Sequence, residues 1–384
     1  MKFKFDYVTP GREIIFGVGS LDRLSDVVER FHWQRLLLCA SGSSRRSGRI
    51  ESIEKMLGTR LVAIYGEVQA HVPDFQVDRV VALAEQSDID AVIGLGGGSA
   101  VGMAKAVSFA FEEKTESKSP RVVLPTAQPR IPIIAIPTTY AGSEMTSVYG
   151  ITHHENETAR KITVQDPRIA PQVVLYDPLL TLDLPPDLTA STGINTLAHC
   201  VEAVYSITRN PLSTAAALEG INHIARTLPR CYARGDDLQA RTEMLVGSYL
   251  AGTALANVAT GLHHGLCHVL GGTLGISHGV ANAIILPHAI RYNADACVHE
   301  LALVAKRMGI TDDDFDDVQL AAQAATQVSE LIAEMNLPRH LREVGVKEND
   351  LTRVAELAAA SRTVMNNPKP IDQDRLTVLL QAAW

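Results

Sequence analysis

The sequence has no excess of positive charge. It contains 35 Lys and Arg residues against 43 Asp and Glu residues, which gives a formal net charge of −8. Nucleic acids and anionic membrane surfaces bind clustered Lys and Arg side chains, so this charge balance argues against both as partners. We therefore expect a small molecule as the substrate, with no nucleic-acid and no membrane partner.

A leader segment and cysteine pairs are also lacking. Residues 1–16 have neither the long apolar core nor the small-residue cleavage site of a signal peptide. The five cysteines are an odd number and form no CxxC pair, which is typical of reduced thiols in a cytoplasmic protein. The sequence therefore predicts a cytoplasmic protein.

Charged side chains are absent from one long stretch, residues 244–290. Glycines, polar residues and Pro287 interrupt this stretch, which favours a buried core over a membrane span. It nevertheless contains five histidines: His263, His264, His268, His278 and His288. A lone histidine on an apolar face would be an ordinary core residue, but collected buried imidazoles indicate either metal ligation or proton transfer.

Two pairs of polar residues have the i,i+4 spacing that places side chains on one face of a helix. Upstream of the uncharged stretch, Asn195 and His199 form the first pair, and His264 and His268 form the second. His278 follows 14 residues after His264. Because both pairs lie in helical patterns, we expect them to converge with His278 in one site.

The two halves of the chain differ in pattern. Apolar strand-like runs alternate with amphipathic helical runs in the first half, which predicts a parallel sheet in an α/β domain; the predicted strands are Arg12–Phe16, Arg35–Cys39, Leu61–Glu67, Ala91–Leu95 and Ile133–Ile136. From Pro186 onward nearly everything has helical periodicity. We predict an α/β domain over residues 1–180, a proline-marked boundary, and an all-α domain over residues 181–384.

A glycine-rich turn links one predicted strand to a predicted helix. Gly96, Gly97, Gly98 and Ser99 follow the strand Ala91–Leu95, and a helical pattern begins at Ala100. Backbone N–H groups and the helix dipole face such a turn, and glycines let a diphosphate approach the backbone closely. A tight turn without a ligand would be the simpler interpretation, but three glycines and a serine exceed its needs. The order of residues excludes a Walker A loop, because Lys105 follows the serine.

No acidic residue follows the second predicted strand. An adenosine ribose site often has an acid there to bind the 2′-hydroxyl, whereas this chain has Ser41, Arg45 and Arg46. The two arginines are compatible with a 2′-phosphate, and hence with NADPH as well as NADH. They are equally compatible with a solvated basic loop.

Several ordered motifs resemble the iron-containing alcohol dehydrogenase superfamily, whose structural relatives include dehydroquinate synthase. The motifs are GLGGGSAVGMAKA, IPTTYAGSEMT (136–146), DPRIAPQVVLYDP (166–178), GINTLAHCVEA (193–203), GLHHGLCHVLGG (261–272) and SHGVANAIILPH (277–288). The resemblance implies a Rossmann-like nucleotide-binding α/β domain, a helical catalytic domain, and an active site in the cleft between them. It also implies NAD(P)H as cofactor and a homodimer joined partly through the N-terminal strands.

The resemblance further implies a set of metal-site positions. In metal-dependent members an Asp-x3-His pair and two later histidines 14 residues apart hold the ion, and these positions are Asn195, His199, His264 and His278 here. An amide thus replaces the one anionic ligand, which leaves neutral donors only. Three imidazoles still suit zinc, but iron loses its charge compensation, so the resemblance leaves Fe or Zn doubtful.

Three features resemble the maleylacetate reductase branch of this family. They are Asn195, Gly102 in place of an aspartate after GGGS, and the double histidine His263-His264. Gly265, where a basic residue is common, and SHGVANAIILPH resemble other branches instead. We therefore expect an enzyme that reduces a conjugated enone or small carbonyl compound with NAD(P)H. A metal-dependent alcohol or aldehyde dehydrogenase is the alternative, and a scaffold that has lost catalysis is a third hypothesis.

Further roles follow from the same resemblance. Thr138 and Thr139 would line the nicotinamide side of the cofactor. His199, His264 or His268 would supply the proton or hydrogen bond that the developing negative charge requires. Lys161 lies where relatives tend to face the active site, so it is either a partner for a substrate carboxylate or a solvated loop lysine.

Overall fold

The computed structural model describes residues 11–114, 123–124, 127–155, 158–311 and 314–384, apart from the side chains of 154–161. Eight strands are described: β1 Glu13–Phe16, β2 Leu36–Ala40, β3 Leu61–Tyr65, β4 Ala91–Gly96, β5 Ile133–Pro137, β6 Val148–Glu155, β7 Thr158–Gln165 and β8 Val173–Tyr176. Five helices lie between them: α1 Leu24–Arg30, α2 Gly42–Arg46, α3 Arg49–Leu57, α4 Asp74–Gln86 and α5 Gly98–Glu113.

Six of these strands form one parallel sheet in the order β1-β8-β5-β4-β2-β3. Side chains that alternate along β2 enter different cores. Leu36 and Leu38 pack with residues of α1 and α3, whereas Leu37 and Cys39 pack with residues of α4 and α5. The sheet is therefore covered by helices on both faces, which explains why its strands are almost entirely apolar.

The five predicted strands are confirmed, each within two residues of its predicted ends. The sequence analysis did not identify β8 or the antiparallel hairpin of β6 and β7. The sequence of β8, VVLY, is four residues long, too short for periodicity to show. The hairpin strands include polar residues such as His153 and Thr163, which blur the alternation expected of a half-buried strand.

The rest of the chain is helical, as predicted. The helices are α6 Pro186–Tyr205, α7 Pro211–Ala233, α8 Leu238–Leu255, α9 Leu262–Leu274, α10 His278–Asn293, α11 Val298–Arg307, α12 Asp317–Glu334, α13 Asp350–Ala359, α14 Arg362–Met365 and α15 Gln373–Ala383. The predicted fold class, an α/β part followed by an all-α part, is confirmed. Within the described ranges no helix has the length and apolarity that crossing a bilayer would require.

Internal contacts divide the chain into two compact units. The sheet unit holds the described residues from 11 to 139 together with Ser143–Leu182. The helical unit holds Tyr140–Gly142 and Asp183–Trp384. Tyr140–Gly142 joins the helical unit because its polar atoms bond there: Arg241 donates to the hydroxyl of Tyr140 at 2.9 Å, and Thr196 donates to the Tyr140 carbonyl.

Candidate active site

The glycine-rich turn lies where β4 ends and α5 begins. Gly96 has φ of 141°, a conformation that side chains disfavour. Gly97 is the N-cap of α5, and a Cβ built on it would lie 3.2 Å from both Cγ2 and Oγ1 of Thr139. The space over the first turn of α5 therefore exists only because position 97 has no side chain, which fits the predicted phosphate cradle.

The turn also lies at a topological switch point of the sheet. From β2 the chain continues to β3 on one side, whereas from β4 it continues to β5 on the other. Such a divergence opens a crevice at the carboxyl ends of the strands, where α/β sheets bind ligands. Ser41 follows β2 directly, and its Oγ lies 3.6 Å from a Cβ built on Gly96. Two predicted cofactor segments therefore meet there.

Arg45 lies at the same edge of the sheet. It is exposed, on the short helix α2 rather than in the predicted loop. A Cβ built on Gly66 would lie 2.6 Å from Nη2 of Arg45, so the guanidinium passes against the backbone just after β3. This contact holds an arginine beside the switch point, and Ser41 is the N-cap of the same short helix.

A second glycine turn, at residues 17–20, is already saturated by the protein itself. Asp177 accepts hydrogen bonds from the backbone N–H groups of Gly19 and Leu21, both at 3.1 Å. The N–H of Gly17 donates to the carbonyl of Tyr176 at 3.0 Å. With these donors occupied by β8 and the residue after it, the turn is structural.

The predicted histidines come together in the helical unit. The ring centroids of His199 and His264 are 4.8 Å apart, those of His264 and His278 are 6.1 Å apart, and those of His268 and His278 are 5.7 Å apart. His199 lies on α6, His264 and His268 on α9, and His278 at the start of α10. His199 and His264 are buried, whereas His268 and His278 are half-buried. Three helices thus build one imidazole cluster.

Three buried polar atoms of this cluster form no hydrogen bond to any described residue. They are Oδ1 of Asn195, Nδ1 of His199 and Nε2 of His264. The other polar atom of Asn195, Nδ2, donates to the carbonyl of Ala141 at 3.4 Å. Buried polar atoms are rarely left unsatisfied without a functional reason. These atoms therefore mark the reactive part of the cluster.

Glu202 is the residue of this site that the sequence analysis missed. Its side chain is only 1% exposed, and Oε2 lies 2.6 Å from Nδ1 of His264. Oε1 accepts from the backbone N–H groups of Gly261 at 3.2 Å and of His263 at 2.9 Å. A signal was present, because Glu202 is the single charged residue between Thr189 and Ser206 and lies one helical turn after His199.

Burial controls the protonation of the cluster. It lowers the pKa of His263 to about 3, with the neighbouring His264 as the next contribution. It also lowers the pKa of His264 to about 3, and holds the pKa of His199 well below the ordinary 6.5. Burial raises the pKa of Glu202, which backbone hydrogen bonds partly offset. The rings of His199, His263 and His264 are therefore neutral at pH 7.

This arrangement predicts that acid destabilises the protein. The pKa of His263 and His264 is about 3 when folded and near 6.5 when unfolded. Between these values the unfolded chain binds more protons, so stability falls as pH decreases from 6.5 toward 3. At pH 5 each histidine costs about 2 kcal/mol. The raised pKa of Glu202 acts in the opposite direction, so we expect a net loss smaller than the roughly 4 kcal/mol that the two histidines would give together.

Urea unfolding at pH 7.5 and pH 5, followed by far-UV circular dichroism, measures this loss. A His263→Gln variant removes one of the two titrating rings and is expected to show a smaller difference between the two pH values. Equal free energies of unfolding for the unsubstituted chain at both pH values would contradict the prediction.

The donors do not fit a resident iron or zinc ion. The four implied positions include no anion, because position 195 is an amide. The rings of His199 and His264 are nearly parallel, at 15°, so their in-plane lone pairs do not converge on one point. Among His, Cys, Asp and Glu of the described ranges, one group has ligand atoms within 4.8 Å of one another: Glu202, His263 and His264. In that group both Glu202 oxygens already accept hydrogen bonds.

Two lysines differ in what the structure says about them. Lys161 lies on β7 opposite Thr152, but its side chain is outside the described residues, so its predicted role stays a prediction.

Lys105, whose position after Ser99 excluded a Walker A loop, is fully buried and donates to the carbonyls of Ser143 and Val148 at 2.6 and 2.9 Å. Burial lowers its pKa to about 7. Lys105 therefore fixes the segment that follows β5.

Gly265, the departure noted beside the double histidine, has a structural cause. A Cβ built on it would lie 2.4 Å from Cγ2 of Val364 and 3.0 Å from its backbone nitrogen. The short helix α14 packs directly on α9 at this point. A basic side chain at position 265 therefore has no room in this chain.

Comparison with known proteins extends these findings to the whole chain. The profile described as "Iron-containing alcohol dehydrogenase" matches residues 11–178, and that described as "Fe-containing alcohol dehydrogenase family, C-terminal" matches residues 189–384. Maleylacetate reductase of Pseudomonas knackmussii is 37% identical over 384 residues, covering 100% of this chain and 98% of that protein.

Solved structures are similar to this chain over its whole length. The crystal structure of maleylacetate reductase from Agrobacterium tumefaciens has 32% identity and a TM-score of 0.85, covering 100% of this chain and 98% of that one. A crystal structure of 1,3-propanediol oxidoreductase has 31% identity and a TM-score of 0.91, covering all of both chains.

Proposed function

The chain belongs to the iron-containing alcohol dehydrogenase family and is an oxidoreductase, and from this premise we propose that it reduces maleylacetate or a closely similar conjugated, carboxylated enone with NADH or NADPH. The observation that carries the proposal is the buried histidine cluster in which Asn195 replaces an anionic metal ligand. The full-length similarity to maleylacetate reductases supports the choice of substrate.

The sheet unit would hold the cofactor. Gly96, Gly97, Gly98 and Ser99 present backbone N–H groups and the N-terminus of α5 to the diphosphate. Thr139, which faces Gly97 across the cradle, and Thr138 would contact the nicotinamide half. Ser41 and Arg45 would contact the adenosine ribose, and the absence of an acid at this edge leaves room for a 2′-phosphate.

The helical unit would supply the proton chemistry. NAD(P)H held by the sheet unit would supply a hydride to the β-carbon of the enone, and the C=C electron pair would move toward the carbonyl oxygen to give an enolate. A proton then adds to the α-carbon, so that the enone is reduced and NAD(P)H is oxidised. The unsatisfied Nε2 of His264 would accept a proton from solvent and transfer it to the α-carbon, and His199 and His268 would bind the developing anion.

Other parts of the proposal rest on the sequence. Residues 1–180 would form the nucleotide-binding half and residues 181–384 the catalytic half. The chain would form a homodimer joined partly through the N-terminal strands. Cytoplasmic location is consistent with five buried cysteines, none of which forms a disulfide. Lys161 would bind a substrate carboxylate.

A substrate screen tests the function. Loss of NADH or NADPH absorbance is followed with maleylacetate, with unconjugated keto acids and with simple aldehydes. We expect turnover of maleylacetate to exceed that of the others by at least about 10²-fold, since only a conjugated enone places the hydride acceptor, its β-carbon, three bonds from the oxygen that takes the negative charge. Preference for simple aldehydes together with loss of activity on chelation would favour the alternative, a metal-dependent dehydrogenase.

The amide at position 195 yields a prediction about metal affinity. Asn195→Asp adds a carboxylate at the position of the unsatisfied Oδ1, beside three imidazoles. We expect affinity for Zn²⁺ or Fe²⁺ to rise by about tenfold or more, because an anion attracts a divalent ion that neutral donors hold poorly. Elemental analysis and titration calorimetry of protein purified without chelator measure this change.

A control variant places the same change elsewhere. Asn222→Asp, on an outer part of α7, adds the same charge away from the cluster. Equal metal contents in the Asn195→Asp variant and in this control would show that the four positions do not act together.

A further inference from the structure

Glu202 has more contacts than a helix cap needs. It lies on α6, between His199 and the end of the helix, and reaches the first turn of α9. One oxygen, Oε1, accepts from the backbone N–H groups of Gly261 and His263. The other oxygen, Oε2, lies 2.6 Å from Nδ1 of His264. One carboxyl group therefore both caps α9 and contacts an imidazole of the candidate site.

We propose that Glu202 is a positioning residue that holds His264 in the tautomer with hydrogen on Nδ1, so that Nε2 keeps a lone pair for the reaction. This inference rests on the proposed function and adds to it the residue that sets the chemical form of His264.

The surroundings of Glu202 favour a hydrogen-bond acceptor at Oε2. Oε1 receives two backbone N–H groups, and the carboxyl lies at the N-terminus of α9, where the helix dipole stabilises negative charge. A carboxylate in this position accepts from whatever faces it. Nδ1 of His264 must then be the donor, which places the hydrogen on Nδ1.

His263 leads independently to the same tautomer. Its Nε2 lies 3.3 Å from the carbonyl of Asn282, an atom that only accepts, so Nε2 carries the hydrogen of this neutral ring. The remaining nitrogen, Nδ1 of His263, is then an acceptor. It lies 3.2 Å from Nδ1 of His264. Both neighbours of this atom, Glu202 and His263, are therefore acceptors, and a hydrogen on it satisfies both.

The tautomer of His264 also sets the state of Nε2, on the opposite side of the ring. With Nδ1 as the donor, Nε2 of His264 is a buried acceptor that forms no hydrogen bond to any residue in the described ranges. The ring lies against His199 and 6.1 Å, centroid to centroid, from His278. In this form Nε2 would accept a proton from solvent and pass it to the α-carbon of the enolate, while Nδ1–H keeps its hydrogen bond to Glu202 and stabilises the transient imidazolium. The opposite tautomer would present an N–H there instead.

An isosteric substitution separates capping from positioning. In Glu202→Gln the amide oxygen still accepts from the backbone of α9, but the amide nitrogen is a donor and faces Nδ1 of His264. The ring must then carry its hydrogen on Nε2. A buried acid that orients a catalytic histidine in serine proteases provides the precedent for the cost of a reversed tautomer.

Nitrogen NMR of protein labelled with ¹⁵N-histidine reads the tautomer directly, with the His264 signals identified by their loss in His264→Asn. We expect the Nδ1–H form in the unsubstituted chain and the Nε2–H form in Glu202→Gln. An Nε2–H form in the unsubstituted chain would overturn the proposal. The spectrum requires no substrate, so it stands even if maleylacetate is not turned over.

Kinetics test the consequence for the reaction. We expect Glu202→Gln to lower kcat by about 10²-fold while KM and the Kd for NADH change by less than about threefold. Glu202→Asp restores a carboxylate and is expected to recover at least about tenfold of that loss. An unchanged kcat in Glu202→Gln, with the tautomer reversed, would overturn the positioning role.

A matched control comes from the same unit. Asp237 caps α8 by accepting from the N–H of Ala240 at 3.0 Å, and its side chain also bonds Arg230 and Arg234, neither of which belongs to the cluster. Asp237→Asn makes the same acid-to-amide change at another helix N-terminus and is expected to leave kcat within about twofold. If Glu202→Gln fails to fold, Glu202→Asp and the spectrum of the unsubstituted chain decide the question.

Discussion

Replacing Gly97 with valine is expected to weaken NADH and NADPH binding by at least about 100-fold, roughly 2.7 kcal/mol, while the chain stays folded. A Cβ at position 97 would lie 3.2 Å from Cγ2 and Oγ1 of Thr139. The two further methyl groups of valine would fill the cradle over the first turn of α5, where we propose that the diphosphate approaches the backbone. Fluorescence titration of the reduced cofactors measures the loss.

Gly11→Val is the matched control for this substitution. Gly11 is an exposed glycine of the same unit, and a Cβ built on it meets no atom within 4 Å. We expect unchanged cofactor affinity in this control, and circular dichroism spectra of both variants that match that of the unsubstituted chain. If Gly97→Val binds NADH as tightly as the unsubstituted chain, the phosphate site is not at this turn.

Replacing His264 with asparagine is expected to lower kcat by about 10³-fold, within the range that removal of a general acid–base commonly produces. The amide nitrogen of asparagine approximates the position of Nδ1, so the hydrogen bond to Glu202 survives. Only the Nε2 side of the ring is removed. Steady-state rates with maleylacetate and NADH, together with the Kd for NADH, separate lost chemistry from lost binding.

His288→Asn serves as the comparison for this result. His288 lies on α10 and is half-buried, and burial lowers its pKa to about 4, as for the cluster histidines. Its ring has no contact with the rings of His199, His264 or His268 among the described contacts. We expect its kcat to stay within about threefold of the unsubstituted value. Equal losses in both variants would indicate that any buried histidine of this unit affects activity through stability alone.

Local chemistry made much of the fold predictable. The strand Ala91–Gly96 and the turn after it were identified because an apolar run, consecutive glycines and a helical pattern are all short-range signals. β8 escaped prediction because four apolar residues fit a buried strand and a helical turn equally well. The hairpin of β6 and β7 escaped because each strand gains its stability from the other, and such pairing is not visible in either strand alone.

The candidate site was also predictable only in part: the histidines followed from short-range spacing, whereas Glu202 did not. The i,i+4 spacing predicted that His264 and His268 share a helix face, and the clustering of His199, His264, His268 and His278 is confirmed by the ring distances. Glu202 was missed because its importance depends on α6 lying against the first turn of α9, a contact between residues about sixty positions apart.

The sequence by itself determined the parallel α/β part, the helical part, the glycine-rich turn and the set of histidines, because periodicity, glycine geometry and residue chemistry act over a few neighbouring residues. Only the tertiary structure decided that Ser41 meets Gly96, that Lys105 is a buried anchor, and that Gly265 accommodates Val364. It also decided which nitrogen of His264 faces a carboxylate. The physical reason is that burial and hydrogen-bond direction depend on which distant side chains share a volume, and no local pattern encodes that.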